Sequence, residues 1–247
     1  MKARILKVVP LGAVLAAGTI AFSSGAMASQ DRMYRVTITN AMHGQPVAPS
    51  VIATHIAGFH LFQLGLAPEE GDPGYDHYWG LAAMAETGYP FYVLEHVLAS
   101  PAVWEAKALP YPDRSPPVLL PSESISTMIS ASGNAKYLSS IAMIGATNDA
   151  VYAVMGVELP RGVGATVHAM AHAYDVGSEA NDESPSTVGA LGATDDNPVS
   201  GAGINENGEG FIHVHAGIHG VGGEGGLDPA MFDWRDPVVL VTVERVE

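Results

Sequence analysis

Met33 to Thr39 reads MYRVTIT, with Tyr34, Val36 and Ile38 alternating against Arg35, Thr37 and Thr39. A period of two marks a strand with one face in a core and the other in water. Alternation returns at Ser124–Ser130, at Lys136–Ile144 and after the turn before Val151–Val157. It returns again at Ala165–Ala173 and at Val238–Val246, where Val239, Val241 and Val243 share one side. Val51–Leu64 reads as a strand followed by a bend near Gly58, and Phe211–Ala216 as a short strand. About eight strands with no regular strand–helix alternation and no fixed repeat predict an all-β fold, an antiparallel β-sandwich. The first and last strands are long and regular, which would let them pair near one another.

The rest of the chain reads as connections. His77–Glu86 and Phe91–Ser100 have helical patterning, the second with Phe91, Leu94, Val97 and Leu98 on one side. They are short and separated by Gly88 and Pro90, so they predict a helical insertion in the β domain. Tyr111–Pro121 is proline-rich, and Ser184–Gly210 is rich in Gly, Ser, Asn and Asp; both read as loops.

Composition restricts the compartment and the partners. Lys2, Arg4 and Lys7 precede an apolar run, Val8–Phe22, and a small-residue sequence ending at Ala28. This is the pattern of a signal peptide, residues 1–28, leaving one domain at 29–247 in the periplasm or outside the cell. Pro10 and Gly12 break the run, which is shorter than the ~20 apolar residues of a spanning helix. Loss of three basic residues takes the formal charge from −15 to −18. Such a surface repels nucleic acid and anionic membranes and attracts cations or basic partners. The absence of cysteine removes disulfides, thiol catalysis and thiolate metal sites.

The chemistry concentrates in Ala173–Glu183, AYDVGSEANDE. Asp175, Glu179 and Asp182 stand close together, with Gly177 allowing the backbone to turn, and Thr147-Asn148-Asp149 lies upstream. Hard cations take several oxygen ligands at one point, and carboxylates from a tight loop with one from a neighbouring segment supply them. An acidic surface loop is the other reading of the same spacing.

The motifs YRVTITN, ATNDAVYAVMGVELP, YDVGSEANDE, GEGFIHVHAGIHG and LDPAMFDWRDPVVLVTVERV, in that order, resemble the spondin domain family, in particular its bacterial single-domain members. The resemblance runs from Tyr34 to Val246. It implies a sandwich similar in architecture to C2 domains, one bound Ca²⁺ near a loop end, and a non-catalytic binding or adhesion-like role toward an extracellular protein or surface ligand. Carried over residue by residue, it implies Asp149, Asp175 and Glu179 as calcium ligands, Glu179 standing where the family has Asp. Asp182 is a further candidate oxygen donor. The animal relatives' thrombospondin-type repeats and flanking cysteines have no counterpart here, so the partner does not carry over.

A second constellation offers different chemistry. His213 and His215 would share one face of a strand with Phe211, and with His219 beyond Gly217 three imidazoles could hold Zn²⁺ or Cu²⁺ in a metalloenzyme or metal-binding protein. The alternative is that they hydrogen-bond within the glycine-rich loop and brace it. His168 and His172 read as part of a polar sheet face. A serine-hydrolase elbow, a phosphate-binding glycine loop and an EF-hand at Asp72–Asp76 are all excluded, because the required residues are missing.

Overall fold

The computed structural model describes residues 31–67, 80–109, 111, 113, 115–191 and 207–247. The signal-peptide reading, Asp72–Asp76 and the first three residues, 77–79, of the expected His77–Glu86 helix lie outside them. Among the described residues the strands are β1 (Arg32–Asn40), β2 (Val51–His55), β3 (Val103–Ala108), β4 (Ser124–Ala131) and β5 (Tyr137–Met143). They continue with β6 (Ala150–Glu158), β7 (Thr166–Asp175), β8 (His213–Val214) and β9 (Val239–Arg245). The helices are α1 (Leu81–Thr87), α2 (Phe91–Ala99) and α3 (Pro229–Phe232). No described helix is long and apolar enough to cross a membrane.

The fold is all-β, as the alternation predicts. The strands form one antiparallel sheet in the order β3-β2-β5-β6-β7-β9-β1-β4, with β8 added beside β7. The terminal strands do pair, Val36 opposite Val243 and Ile38 opposite Val241. β7 is shared by the two halves of the sheet: Thr166–Ala171 pairs with β9 and His172–Asp175 with β6. Tyr34, Val36 and Ile38 meet Leu138, Tyr152, Ala171, Val241 and Val243 in one core between the halves. On the outer face of β2, β5 and β6, Val51, Ile141 and Val151 meet Leu81, Met84, Val93 and Val97 of the helices in a second core. β5 is therefore covered on both faces, which accounts for its shift from alternating to continuous apolar sequence.

The sheet is nearly closed. β3 and β4, the ends of the strand order, are joined through side chains. Trp104 Nε1 donates to Ser130 Oγ at 3.2 Å and Lys107 Nζ to the Met128 carbonyl at 2.7 Å. Glu105 Oε2 accepts from the Ser130 amide at 2.7 Å and also from its hydroxyl. Such a seam satisfies edge groups that would otherwise invite another chain to pair. β3 itself was not visible in the alternation, because its residues are mostly half-buried and it carries Glu105 and Lys107. Glu105→Ala is expected to lower the urea-unfolding free energy by about 1–3 kcal/mol, since it strands a backbone donor and loosens the seam. An unchanged midpoint would contradict this role.

Candidate metal site

The turn between β5 and β6 carries Thr147, Asn148 and Asp149. The Thr147 hydroxyl donates to the Ile144 carbonyl at 2.6 Å and accepts from the Ala150 amide at 3.2 Å, which fixes the turn. β6 pairs with the end of β7 so that Ala150 faces Asp175, and the Val176 amide bonds to the Asp149 carbonyl at 3.2 Å. Two acids far apart in sequence are thereby placed at the same end of the sheet, and both are fully buried.

Their hydrogen bonds are unequal. Asp149 Oδ2 accepts from the Ser178 amide at 2.7 Å, the Ser178 hydroxyl at 3.2 Å and the Glu179 amide at 3.0 Å. Its Oδ1 is buried and has no hydrogen-bond partner. Asp175 Oδ1 accepts from the Gly177 amide at 2.8 Å, and Oδ2 from Asn181 Nδ2. Gly177 has φ +75°, and a Cβ there would stand 2.5 Å from the Phe211 carbonyl oxygen, so the turn requires glycine. Burial raises the Asp149 carboxyl well above the usual range, and the charge of Asp175 adds to this. Burial raises Asp175 as well.

Glu179 follows in the same loop, with its amide on Asp149 Oδ2. Its Oε2 is buried without a partner, and burial followed by the charge of Asp182 pushes the carboxyl up to about 7. Asp182 is engaged otherwise: its Oδ1 accepts from Asn148 Nδ2 at 3.0 Å, from the Ser184 amide at 3.1 Å and from the Thr187 hydroxyl. It caps the following turn.

Three acids are not singled out by the sequence: Glu86, Glu183 and Glu209, whose Oε1 accepts from Asn181 Nδ2 at 3.4 Å and whose charge helps raise Asp149 and Asp175. Glu86, on α1, is 1% exposed, and neither carboxyl oxygen has a hydrogen-bond partner. Burial pushes it up to about 7 against the opposing effect of the Ser178 hydroxyl beside it, and the charge of Glu179 adds to the rise. The available signal was one acid in LAAMAET, a helix in which Leu81 to Glu86 are all buried. Glu183, 3% exposed, accepts from the amides of His219, Gly220 and Val221 at 2.6, 2.6 and 2.9 Å. It is the main brace of the glycine-rich loop, and a Cβ on Gly222 would stand 1.9 Å from its carbonyl oxygen.

The histidines are separated in their contacts. His213 Nδ1 lies 3.7 Å from Asp175 Oδ1, the His215 ring lies tilted against Trp234 with centroids 4.9 Å apart, and His219 is exposed. The expected strand alternation fails here: β8 is two residues long, and Ile212 is buried while Val214 is exposed. Gly217 donates its amide proton to His215 Nδ1, so the neutral ring carries its proton on Nε2, which is then no metal ligand. Burial, then the neighbouring His213 and His219, lowers this imidazole to about 4. His168 and His172 lie exposed and bond to Thr242 and Asp236, a polar sheet face.

Among the described residues, no three His, Asp or Glu side chains already stand in a metal-ligating arrangement. What the structure shows is Asp149 beside Asp175, with Asp149 Oδ1 and Glu179 Oε2 lacking a hydrogen-bond partner among the described residues. Their chemistry fits a hard cation. Neither a protein-family model nor a curated protein matches the chain.

The raised carboxyls give a testable pH dependence. Glu86 and Glu179 titrate near 7 when folded, against 4.5 for the ordinary glutamate. The folded state therefore holds protons that the unfolded chain releases, and stability falls as pH rises from about 4.5 to about 7. In chelator, Glu86 alone is expected to account for roughly 3 kcal/mol of that loss. Stability rising across this window in a urea series would contradict the assignment. Glu183→Gln is expected to cost about 1–3 kcal/mol at neutral pH, read by the same method, because it weakens charge-assisted bonds to three amides.

Proposed function

We propose that the protein is an exported calcium-binding β module of the spondin type, acting by binding rather than by catalysis. Asp149, Asp175 and Glu179 would hold the ion, with backbone carbonyls and water completing its six to eight oxygens. One observation carries the reading: Asp149 is fully buried, has an oxygen with no partner, and lies beside a second buried carboxylate. Ionised together they repel, and a divalent cation would neutralise both. The spondin-like motifs point to the same residues independently. The acidic surface and export-type leader support an extracellular or periplasmic ligand, of basic or otherwise complementary character. The histidine-based alternative is weaker, because His215 presents a protonated Nε2.

Extracellular modules bind calcium at ~0.1–1 mM, so a weak site is compatible with this role. Calcium at a hundredfold excess over Kd is expected to add about 2.7 kcal/mol. For a domain of this size that corresponds to a rise of about 5–10 °C in Tm. Magnesium is expected to do less. Asp149→Asn, which removes a buried charge, is expected to abolish the calcium response without lowering the Tm measured in chelator. No calcium-dependent shift in the wild-type protein would overturn the proposal.

A further inference from the structure

We infer that the cavity walled by the start of α2, the end of β3 and residues 116–118 binds a neutral, ring-containing hydrophobic molecule with few hydrogen-bonding groups. This is a second site, independent of the calcium reading above.

The cavity measures about 800 Å³. That lies within the ~300–1,000 Å³ of small-molecule sites. Its walls are apolar: Tyr89, Phe91 and Tyr111 supply aromatic surface, and Leu109, Val118 and Met143 add to it. Pro46, Pro49, Pro90, Pro116 and Pro117 also line it. Proline has no amide proton, and its fixed φ holds the wall in place before a ligand arrives. The rest of the wall is poor in donors as well. The amides of Ala48, Gly88 and Gly145 go to the carbonyls of Met143, Met84 and Pro46, and those of Leu109 and Val118 to Ser50 and Pro116. The Thr87 hydroxyl donates to the Ala83 carbonyl and accepts from the Tyr89 amide at 3.2 Å. The Tyr111 hydroxyl is held on Ser50 Oγ at 2.9 Å. Glu86 also lines the cavity, but both its carboxyl oxygens are buried and present no charge to it.

What such a wall binds follows from what it does not offer. A sugar, a phosphate or an extended peptide would give up hydrogen bonds to water and find few replacements. An anionic amphiphile would meet no Lys or Arg among the described residues of the wall, on a chain of formal charge −15. A neutral ring system loses little that is polar and gains apolar contact. Tyr89 and Phe91 are exposed, their ring centroids 5.2 Å apart at a 56° tilt, which leaves aromatic surface free to pack on a bound ring. Such a site suits a compound that dissolves poorly in water.

Fluorescence titration of the full-length protein tests the inference with two probes that share a ring skeleton. One is neutral N-phenyl-1-naphthylamine, and the other is its anionic relative, 8-anilinonaphthalene-1-sulfonate. The neutral probe is expected to bind saturably at a single site, and the sulfonate roughly tenfold more weakly or worse. Ala108→Trp, at the end of β3, fills the cavity and is expected to weaken the neutral probe by roughly tenfold or more. Phe91→Ala, at an exposed position, removes part of the aromatic wall and is expected to weaken it severalfold. No saturable binding by wild type, unchanged affinity in Ala108→Trp, or equal affinity for the two probes would overturn the inference. Should Ala108→Trp fail to fold, Phe91→Ala decides: unchanged affinity there overturns it. The calcium response stands or falls separately, since neither substitution touches Asp149, Asp175 or Glu179.

Discussion

Backbone pairing forces Asp149 and Asp175 together before their side chains have any say. With Ala150 opposite Asp175 and the Val176 amide on the Asp149 carbonyl, two acids must share one buried corner. Removing carboxylates from water is expensive, and placing two side by side adds repulsion. Much of the surrounding loop answers that cost. The amides of Ser178 and Glu179 converge on Asp149, while Gly177 and Asn181 serve Asp175. Asp149 Oδ1 is left without a partner among the described residues.

The architecture explains why this corner exists. β7 belongs to both halves of the sheet, and its far end is where it leaves β9 behind and pairs with β6. The corner is closed on its outer side by α1 and on the other by the glycine-rich loop that Glu183 holds. Both covering elements bring an acid with them. Glu183 has its partners in three amides; Glu86 has none. That contrast separates a carboxylate used to shape a loop from one that burial pushes toward its protonated form.

The strands were legible because a period of two survives wherever one face is buried, as in Tyr34, Val36 and Ile38 of β1. β3 was lost because an edge held by Glu105 and Lys107 has no apolar alternation to read. β8 shrank to two residues because Ile212 and His215 turn inward and leave no regular face. Asp175 and Glu179 stood out through a dense acidic motif and Asp149 as an upstream acid matched by the resemblance; the structure sets Asp149 beside Asp175 and bonds it to the Glu179 amide. Glu86 and Glu183 were hidden for opposite reasons. One sits alone in a helix whose burial cannot be inferred from seven residues, and the other serves a loop whose path local sequence does not determine.

Long-wavelength anomalous diffraction from crystals grown with calcium tests the central claim most directly. The account predicts an anomalous peak at the β5–β6 turn, about 2.3–2.6 Å from carboxyl oxygens of Asp149, Asp175 and Glu179. No peak there in a crystal saturated with calcium, with these acids bonded to one another or to protein donors instead, would contradict it.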